Sequence, residues 1–184
     1  TPGDYDALLD YWKREDFPTP AECAELLKLA GTPDGVAEHG RAVARVAQKL
    51  AGGLPAGSGV RAERLEAAAL LHDVKKGVER HERVGAAWLE EQGYLEVARL
   101  AESHHDLRSA EPDWESRLLY LADKLVQGVR VVSLEERMEA MNRRFAGDEA
   151  ALTAAKIRLE RAREVLEEVE ALCGKSISSI LGEP

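Results

Sequence analysis

The stretch LLHDVKKG at residues 70–77 contains the feature that decides how the rest of the chain is interpreted, the adjacent pair His72–Asp73. The pair follows AAALL at 67–71, an apolar run typical of a buried helix and far too short to span a membrane. Burying a carboxylate alone is strongly unfavourable, and a buried imidazole also needs a partner. We therefore expect other parts of the chain to bring compensating groups to this pair.

The remaining histidines follow a pattern that supplies such groups. Residues three, four and seven apart lie on one side of a helix, which places His39 in register with Val43. The same spacing places His81, His104 and Asp123 on the apolar stripes of three other predicted helices. A divalent metal would compensate all of them, because it neutralises carboxylates and takes up imidazole lone pairs. The candidate ligands are His39, His72, Asp73, His81, His104, His105 and Asp123.

Each candidate also has a simpler interpretation when taken alone. A single histidine on an apolar stripe is usually a core residue with ordinary hydrogen bonds. Asp123 and Lys124 could form a helix ion pair, and His104 and His105 could be one core and one surface residue. The convergence of the whole set favours a metal site.

Helical periodicity runs through nearly the whole chain and predicts an all-α fold. Thr19, Pro20 and Glu22 form a capping box, and Thr32 with Pro33 is expected to open the next helix in the same way. Periodicity does not assign the β-branched run at 129–132. Helices are expected near 5–12, 20–30, 33–51, 60–73, 79–91, 95–105, 113–126, 134–145 and 148–172.

The chain of 184 residues is long enough for one domain with a sizeable core. We expect an N-terminal helical extension or linker at 1–31, a metal-binding core at 32–132 and a C-terminal helical extension at 133–184. The long last helix carries an apolar stripe between Leu152 and Val169. This stripe is expected to pack on the core, and packing on a second copy in a homodimer is the alternative.

Composition excludes several classes of function. The formal net charge of -9 argues against binding to duplex nucleic acid or to an anionic membrane, since both require a basic face. The first ten residues lack the basic start and apolar run of a signal peptide. Cys23 and Cys173 are too far apart to form a metal-spacing pair and indicate a reducing compartment. These features together predict a cytoplasmic protein.

The ordered set of His39, the pair His72–Asp73 and Asp123 resembles the HD-domain superfamily of metal-dependent phosphohydrolases, of the HDIG type. The resemblance covers about residues 33–132 and implies an HD-domain-like helical bundle with extra N- and C-terminal helices. The chain is also similar to HD domains fused behind a nucleotidyltransferase domain. Its start at Thr1, without a methionine, fits that origin.

The resemblance implies two divalent metal ions, because the chain has the extra histidines of the dinuclear subgroup. Asp73 would bridge the two ions. Imidazole-rich sites favour manganese, iron or zinc over magnesium, which prefers oxygen ligands. The first ion would be held by His39, His72, Asp73 and Asp123, and the second by His81, His104 and His105.

The same resemblance implies hydrolysis of a phosphoester or phosphoanhydride in a phosphorylated small molecule, a nucleotide in particular, by metal-activated hydroxide. Asp73 and Lys76 are the catalytic candidates. Lys76, Lys75 and Arg130 are the candidate substrate contacts, although the two lysines could equally be a solvated basic turn. Arg130 would correspond, with a displacement of one residue, to an arginine of the HD-type symmetrical diadenosine tetraphosphate hydrolases. His105 does not fit that family, which usually lacks a second histidine at this place.

Two alternatives stay open. The first is a metal-stabilised regulatory or interaction module without turnover. The second is an oxygenase with a di-iron centre, because such enzymes also use HD-like helical sites. The Gly-Tyr-Pro signature of the cyclic di-GMP phosphodiesterases is absent after His104–His105, which argues against that substrate.

Overall fold

The computed structural model describes residues 17–107 and 111–182. These ranges are helical apart from one short hairpin, which confirms the predicted all-α class. The helix predicted near 5–12 lies outside the described residues. The elements are α1 (Pro20–Leu29), α2 (Asp34–Gly53), α3 (Ala62–Leu71), α4 (His81–Glu91), α5 (Leu95–Ser103), α6 (Trp114–Lys124), β1 (Val126–Gln127), β2 (Arg130–Val131), α7 (Leu134–Arg144), α8 (Glu149–Cys173) and α9 (Ile177–Leu181).

The two predicted helix starts have different outcomes. Thr19 caps α1 in a capping box with Glu22, as predicted. The prediction that Thr32 caps α2 is wrong, because Pro33 occupies the N-cap and makes no side-chain bond there. The Thr32 hydroxyl instead donates to the carbonyl of Val74 at 2.8 Å. This tertiary bond fastens the start of α2 to the turn that follows His72–Asp73.

The β-branched run that periodicity left unassigned forms half of a small hairpin. Strands β1 and β2 are antiparallel, with Val126 opposite Val131 and Gln127 opposite Arg130. Gly128, in the connecting turn, has a φ of +63°, a conformation that glycine adopts without strain. Strands of two residues are too short for alternation to reveal them. The helix α9 was also missed by the sequence analysis.

The close packing of α2 against α3 depends on one glycine. A Cβ atom at Gly40 would lie 2.7 Å from the carbonyl oxygen of Leu70, well inside ordinary contact. Gly40 follows His39, and Leu70 lies two residues before His72. The missing side chain therefore lets the helix that carries one histidine approach the helix that carries another.

All the described helices contribute to one apolar core, including those outside the predicted metal-binding segment. Val165 and Val169 of α8 are at most 1 % exposed in this core, and Leu181 of α9 is 3 % exposed. Glu115, at the start of α6, accepts bonds from the Arg64 guanidinium at 2.7 and 2.8 Å and links α6 to α3. Within the described ranges, no helix combines the length and the apolar character needed to cross a bilayer.

Candidate metal centre

The pair His72–Asp73 lies at the carboxyl end of α3, where the apolar segment brings it into the interior. His72 is 1 % exposed and Asp73 is 4 % exposed. The neighbouring helices α2, α5 and α6 deliver His39, His104 and Asp123 to the same place. The expectation that compensating groups converge on this pair is therefore met by the fold.

Three of these histidines share one orientation. Nδ1 of His39 lies 2.7 Å from the carbonyl oxygen of Gly128, and Nδ1 of His72 lies 2.7 Å from that of Ala69. His104 makes the same bond to the carbonyl of the residue three positions before it. Because a carbonyl only accepts, each Nδ1 carries a proton, and a ring that is neutral has its lone pair on Nε2.

All three Nε2 atoms are directed at carboxylates. His39 Nε2 lies 3.2 Å from Asp123 Oδ1, and His104 Nε2 lies 3.5 Å from Asp73 Oδ1. His72 Nε2 lies between both groups, 3.5 Å from Asp73 and 3.7 Å from Asp123. This atom is buried and has no hydrogen-bond partner among the described residues. Lone pairs that face anionic oxygens require either a proton on the nitrogen or a metal ion between the two groups.

The electrostatics of the cluster express the same requirement. Burial lowers the pKa of the His72 imidazole, but the charges of Asp73 and Asp123 outweigh burial and raise it to about 10. Burial raises the pKa of both carboxyls, yet His72 and the other imidazoles hold that of Asp73 well below its usual range. Lys124 and the histidines do the same for Asp123. Two ionised carboxylates therefore remain in a buried site, which a proton on His72 or a metal ion would neutralise.

Two overlapping groups have ligand atoms within 4.8 Å of one another, a spacing suited to a metal ion. One is His39, His72 and Asp123, and the other is His72, Asp73 and His104. Three of the four residues predicted for a first metal thus lie within this distance of one another, and the fourth, Asp73, lies in the second group with His72. His104, which was predicted for the second metal, also lies against His72, with ring centroids 4.8 Å apart.

The other predicted second-metal ligands are placed less uniformly. His81, the first residue of α4, directs Nε2 to within 3.0 Å of Asp73 Oδ1. The ring of His105 is 6.3 Å from those of both His81 and His104. Its Nδ1 lies 3.3 Å from a carboxylate oxygen of Asp106.

Of the predicted substrate contacts, Lys76 alone lies at the cluster. Its ammonium is 3.0 Å from Asp73 and 3.5 Å from His81 Nε2. Lys75 points elsewhere: it donates to the carbonyl of Ala30 at 3.3 Å and lies over the ring of Trp88. Arg130 is also away from the cluster.

Arg130 is 68 % exposed and pairs with Glu136 at 3.3 Å. The structure therefore does not bring Arg130 or Lys75 to the cavity that borders the ligands. The directions of these two side chains could not be predicted, because Lys75 lies in a turn and the strand of Arg130 has only two residues.

Sequence reasoning missed four cations that line this cavity of about 510 Å³, namely Lys124, Arg137, Arg144 and Arg158. Lys124 is buried and donates to Asp123 and to the carbonyl of His104, both at 2.8 Å. Its position beside Asp123 was the available signal. The arginines of α7 and α8 have no comparable signal, because each looks like an ordinary charged residue on a helix.

The comparison with protein families gives one match. The model described as the HD domain matches residues 36–127, which is half of the chain. The matched span contains every predicted metal ligand and ends before α7 and α8. No curated protein and no solved structure matches the chain.

Proposed function

Since the chain belongs to the HD domain family, we propose that it is a metal-dependent phosphohydrolase that acts on a phosphorylated small molecule, a nucleotide in particular. The observation that carries the proposal is the buried His72 Nε2, which lies between two carboxylates without a hydrogen-bond partner among the described residues. A structural core histidine would use that nitrogen in a hydrogen bond. A metal ligand would leave it free.

We assign one divalent ion to His39, His72, Asp73 and Asp123, and a second to His81, His104, His105 and the shared Asp73. The imidazole-rich donor set favours manganese, iron or zinc over magnesium. The bound ions would supply Lewis acidity and lower the pKa of a water molecule towards neutrality.

Two lysines have separate roles in this proposal. Lys124 is a positioning residue, since its ammonium donates to the Asp123 carboxylate and to the backbone carbonyl of His104. Such outer bonds orient metal ligands and raise metal affinity. Lys76 is a catalytic candidate together with Asp73, because its side chain is 48 % exposed at the cavity and its ammonium can turn from Asp73 towards a phosphate oxygen.

Metal content per chain, combined with turnover of bis(p-nitrophenyl) phosphate, tests the proposal. We expect about two ions per chain and metal-dependent hydrolysis. Asp73→Ala should lose both ions and all turnover, whereas Glu63→Ala, which removes an exposed carboxylate in the first turn of the helix that precedes Asp73, should retain them. Metal without turnover on a broad phosphate panel would favour the regulatory module. No metal after addition of manganese, iron or zinc would refute the site.

The second ion has its own test, because the Lys76 ammonium lies within 3.5 Å of both Asp73 and His81. An ion shared by these two ligands must displace the ammonium, which is exposed enough to move. Lys76→Met should therefore tighten binding of the second ion while lowering turnover. The matched control is Lys75→Met, whose ammonium contacts Trp88 instead.

His105→Ala completes this test. It should leave the first ion in place and weaken only the second. Full metal content and activity in His105→Ala would contradict its assignment as a ligand. Unchanged affinity for the second ion in Lys76→Met would contradict the shared position between Asp73 and His81.

A further inference from the structure

The cavity that borders the metal ligands has a wall that lies outside the family match. This wall is formed by α7 and α8, which follow residue 127. Its side chains face the cavity opposite the HD segment and are of two kinds, cationic and apolar. The ones used below are Arg137, Met141, Arg144, Arg158 and Leu159.

The lining of this cavity is positively charged, although the chain as a whole is acidic. Five lysine and arginine side chains line it, against the two carboxylates of Asp73 and Asp123. The chain has a formal net charge of -9. Basic side chains gathered in one cleft attract anions despite an opposite overall charge. Three of the five cations come from α7 and α8.

Most of these cations already have a partner. The four engaged pairs are Lys76 with Asp73, Lys124 with Asp123, Arg158 with Asp106, and Arg137 with the carbonyl of Val126. Arg144 differs, since among the described residues its guanidinium contacts only the ring of Phe145, 5.3 Å from its centroid. It makes no ion pair and no hydrogen bond within the described ranges. Its five donors are available to a ligand.

We propose that Arg144 binds a second, non-reacting phosphate group of the substrate. A guanidinium matches the geometry of a phosphate with paired hydrogen bonds. Met141, one turn before Arg144, and Leu159 add apolar surface to the same lining. The ligand is therefore an organic compound with at least two phosphate groups, of the class of a nucleoside diphosphate or triphosphate. This inference rests on the proposed function only in placing the reacting phosphate at the metal ligands.

Binding of α,β-methylene-ADP and of AMP to the metal-loaded protein, measured by titration calorimetry, tests this assignment. Arg144→Gln should weaken α,β-methylene-ADP binding about tenfold, the effect of losing a charge-assisted hydrogen bond. Binding of AMP should change by less than about twofold, since it lacks the second phosphate. The matched control is Arg143→Gln, which removes a neighbouring guanidinium that is 73 % exposed and pairs with Glu139.

The control should bind both nucleotides as the unchanged protein does. Equal losses for the two nucleotides, equal losses in Arg143→Gln, or no binding of α,β-methylene-ADP to the unchanged protein would overturn the inference. Hydrolysis of bis(p-nitrophenyl) phosphate separates it from the proposed function. Turnover without Arg144-dependent binding refutes the inference alone, whereas Arg144-dependent binding without any turnover refutes the phosphohydrolase proposal alone.

Discussion

Gly40→Ala is expected to disturb the fold and the proposed metal site together, because the new methyl group would meet the backbone of α3. Its Cβ would lie 2.7 Å from the carbonyl oxygen of Leu70, about 0.7 Å short of the 3.4 Å at which ordinary contact begins. A carbonyl oxygen cannot rotate away as a flexible side chain can. The strain must therefore move α2 away from α3.

The magnitude follows from two opposing contributions. Overpacking a well-packed core costs about 1–3 kcal/mol. Alanine recovers about 1 kcal/mol through its higher helix propensity. The net effect expected of Gly40→Ala is a loss of about 0–2 kcal/mol in the free energy of unfolding. Gly52→Ala, on the same helix with open space around it, should instead raise that energy by about 0.5 kcal/mol.

Urea unfolding in the presence of a chelator measures the free energy of unfolding of the metal-free protein. A separate titration with manganese then measures metal affinity, which should fall in Gly40→Ala because His39 moves with α2 away from His72. The rings of these histidines are now 5.3 Å apart. If Gly40→Ala is as stable as Gly52→Ala and binds manganese equally well, the close approach of the two helices does not determine the site.

Three further predictions concern buried ionisable groups. Glu115→Gln should lower the free energy of unfolding by about 3 kcal/mol, because it leaves the Arg64 guanidinium without its bidentate partner. Glu96→Gln removes a carboxylate that is 44 % exposed and 4.0 Å from the same guanidinium, and it should cost less than about 1 kcal/mol. Urea unfolding measures the free energy of unfolding of both variants. The metal-free protein should lose stability as the pH rises from about 6.5 towards 10, since the pKa of His72 is raised to about 10 from an unfolded value of about 6.5. Its stabilisation is complete below the lower value, so unfolding curves that do not weaken across this window would contradict the prediction. The Cys23 thiol is 1 % exposed, and burial raises its pKa to about 12, so iodoacetamide should label it only after unfolding in urea. Labelling of the folded protein at that site, detected by mass spectrometry, would refute its burial.

The residues of the buried histidine–aspartate cluster were predictable because their residue types conflict with their positions. His39 and Asp123 occupy helix positions where an apolar side chain is expected, and no local interaction explains both. The choice of ring nitrogen was not predictable. Nδ1 of His39 bonds to Gly128, 89 residues away, through a hairpin too short for periodicity to reveal.

The basic cavity wall formed by α7 and α8 was not predictable for a related reason. The sequence does not show which way a charged side chain on the surface points. Lys75 and Lys76 are adjacent in one turn, and only Lys76 lines the cavity. Arg130 and Arg144 look alike in the sequence, yet the first pairs with Glu136 in the open and the second lines the cavity. The packing of the helices decides which basic residues face a ligand. An exposed residue carries no sequence signal of that packing.

The hairpin between β1 and β2 connects the two halves of the site. The carbonyl of Gly128, in its turn, accepts a hydrogen bond from Nδ1 of His39. This bond leaves Nε2 as the nitrogen that His39 would offer to a metal. The carbonyl of Val126, two residues earlier, receives a bond from Arg137 of α7. The hairpin thus orients His39, a proposed metal ligand inside the family match, and holds α7, which forms part of the cavity wall outside that match. A change that moves the hairpin should therefore weaken metal and phosphate binding together, whereas Arg144→Gln, which leaves the hairpin bonds intact, should weaken phosphate binding alone.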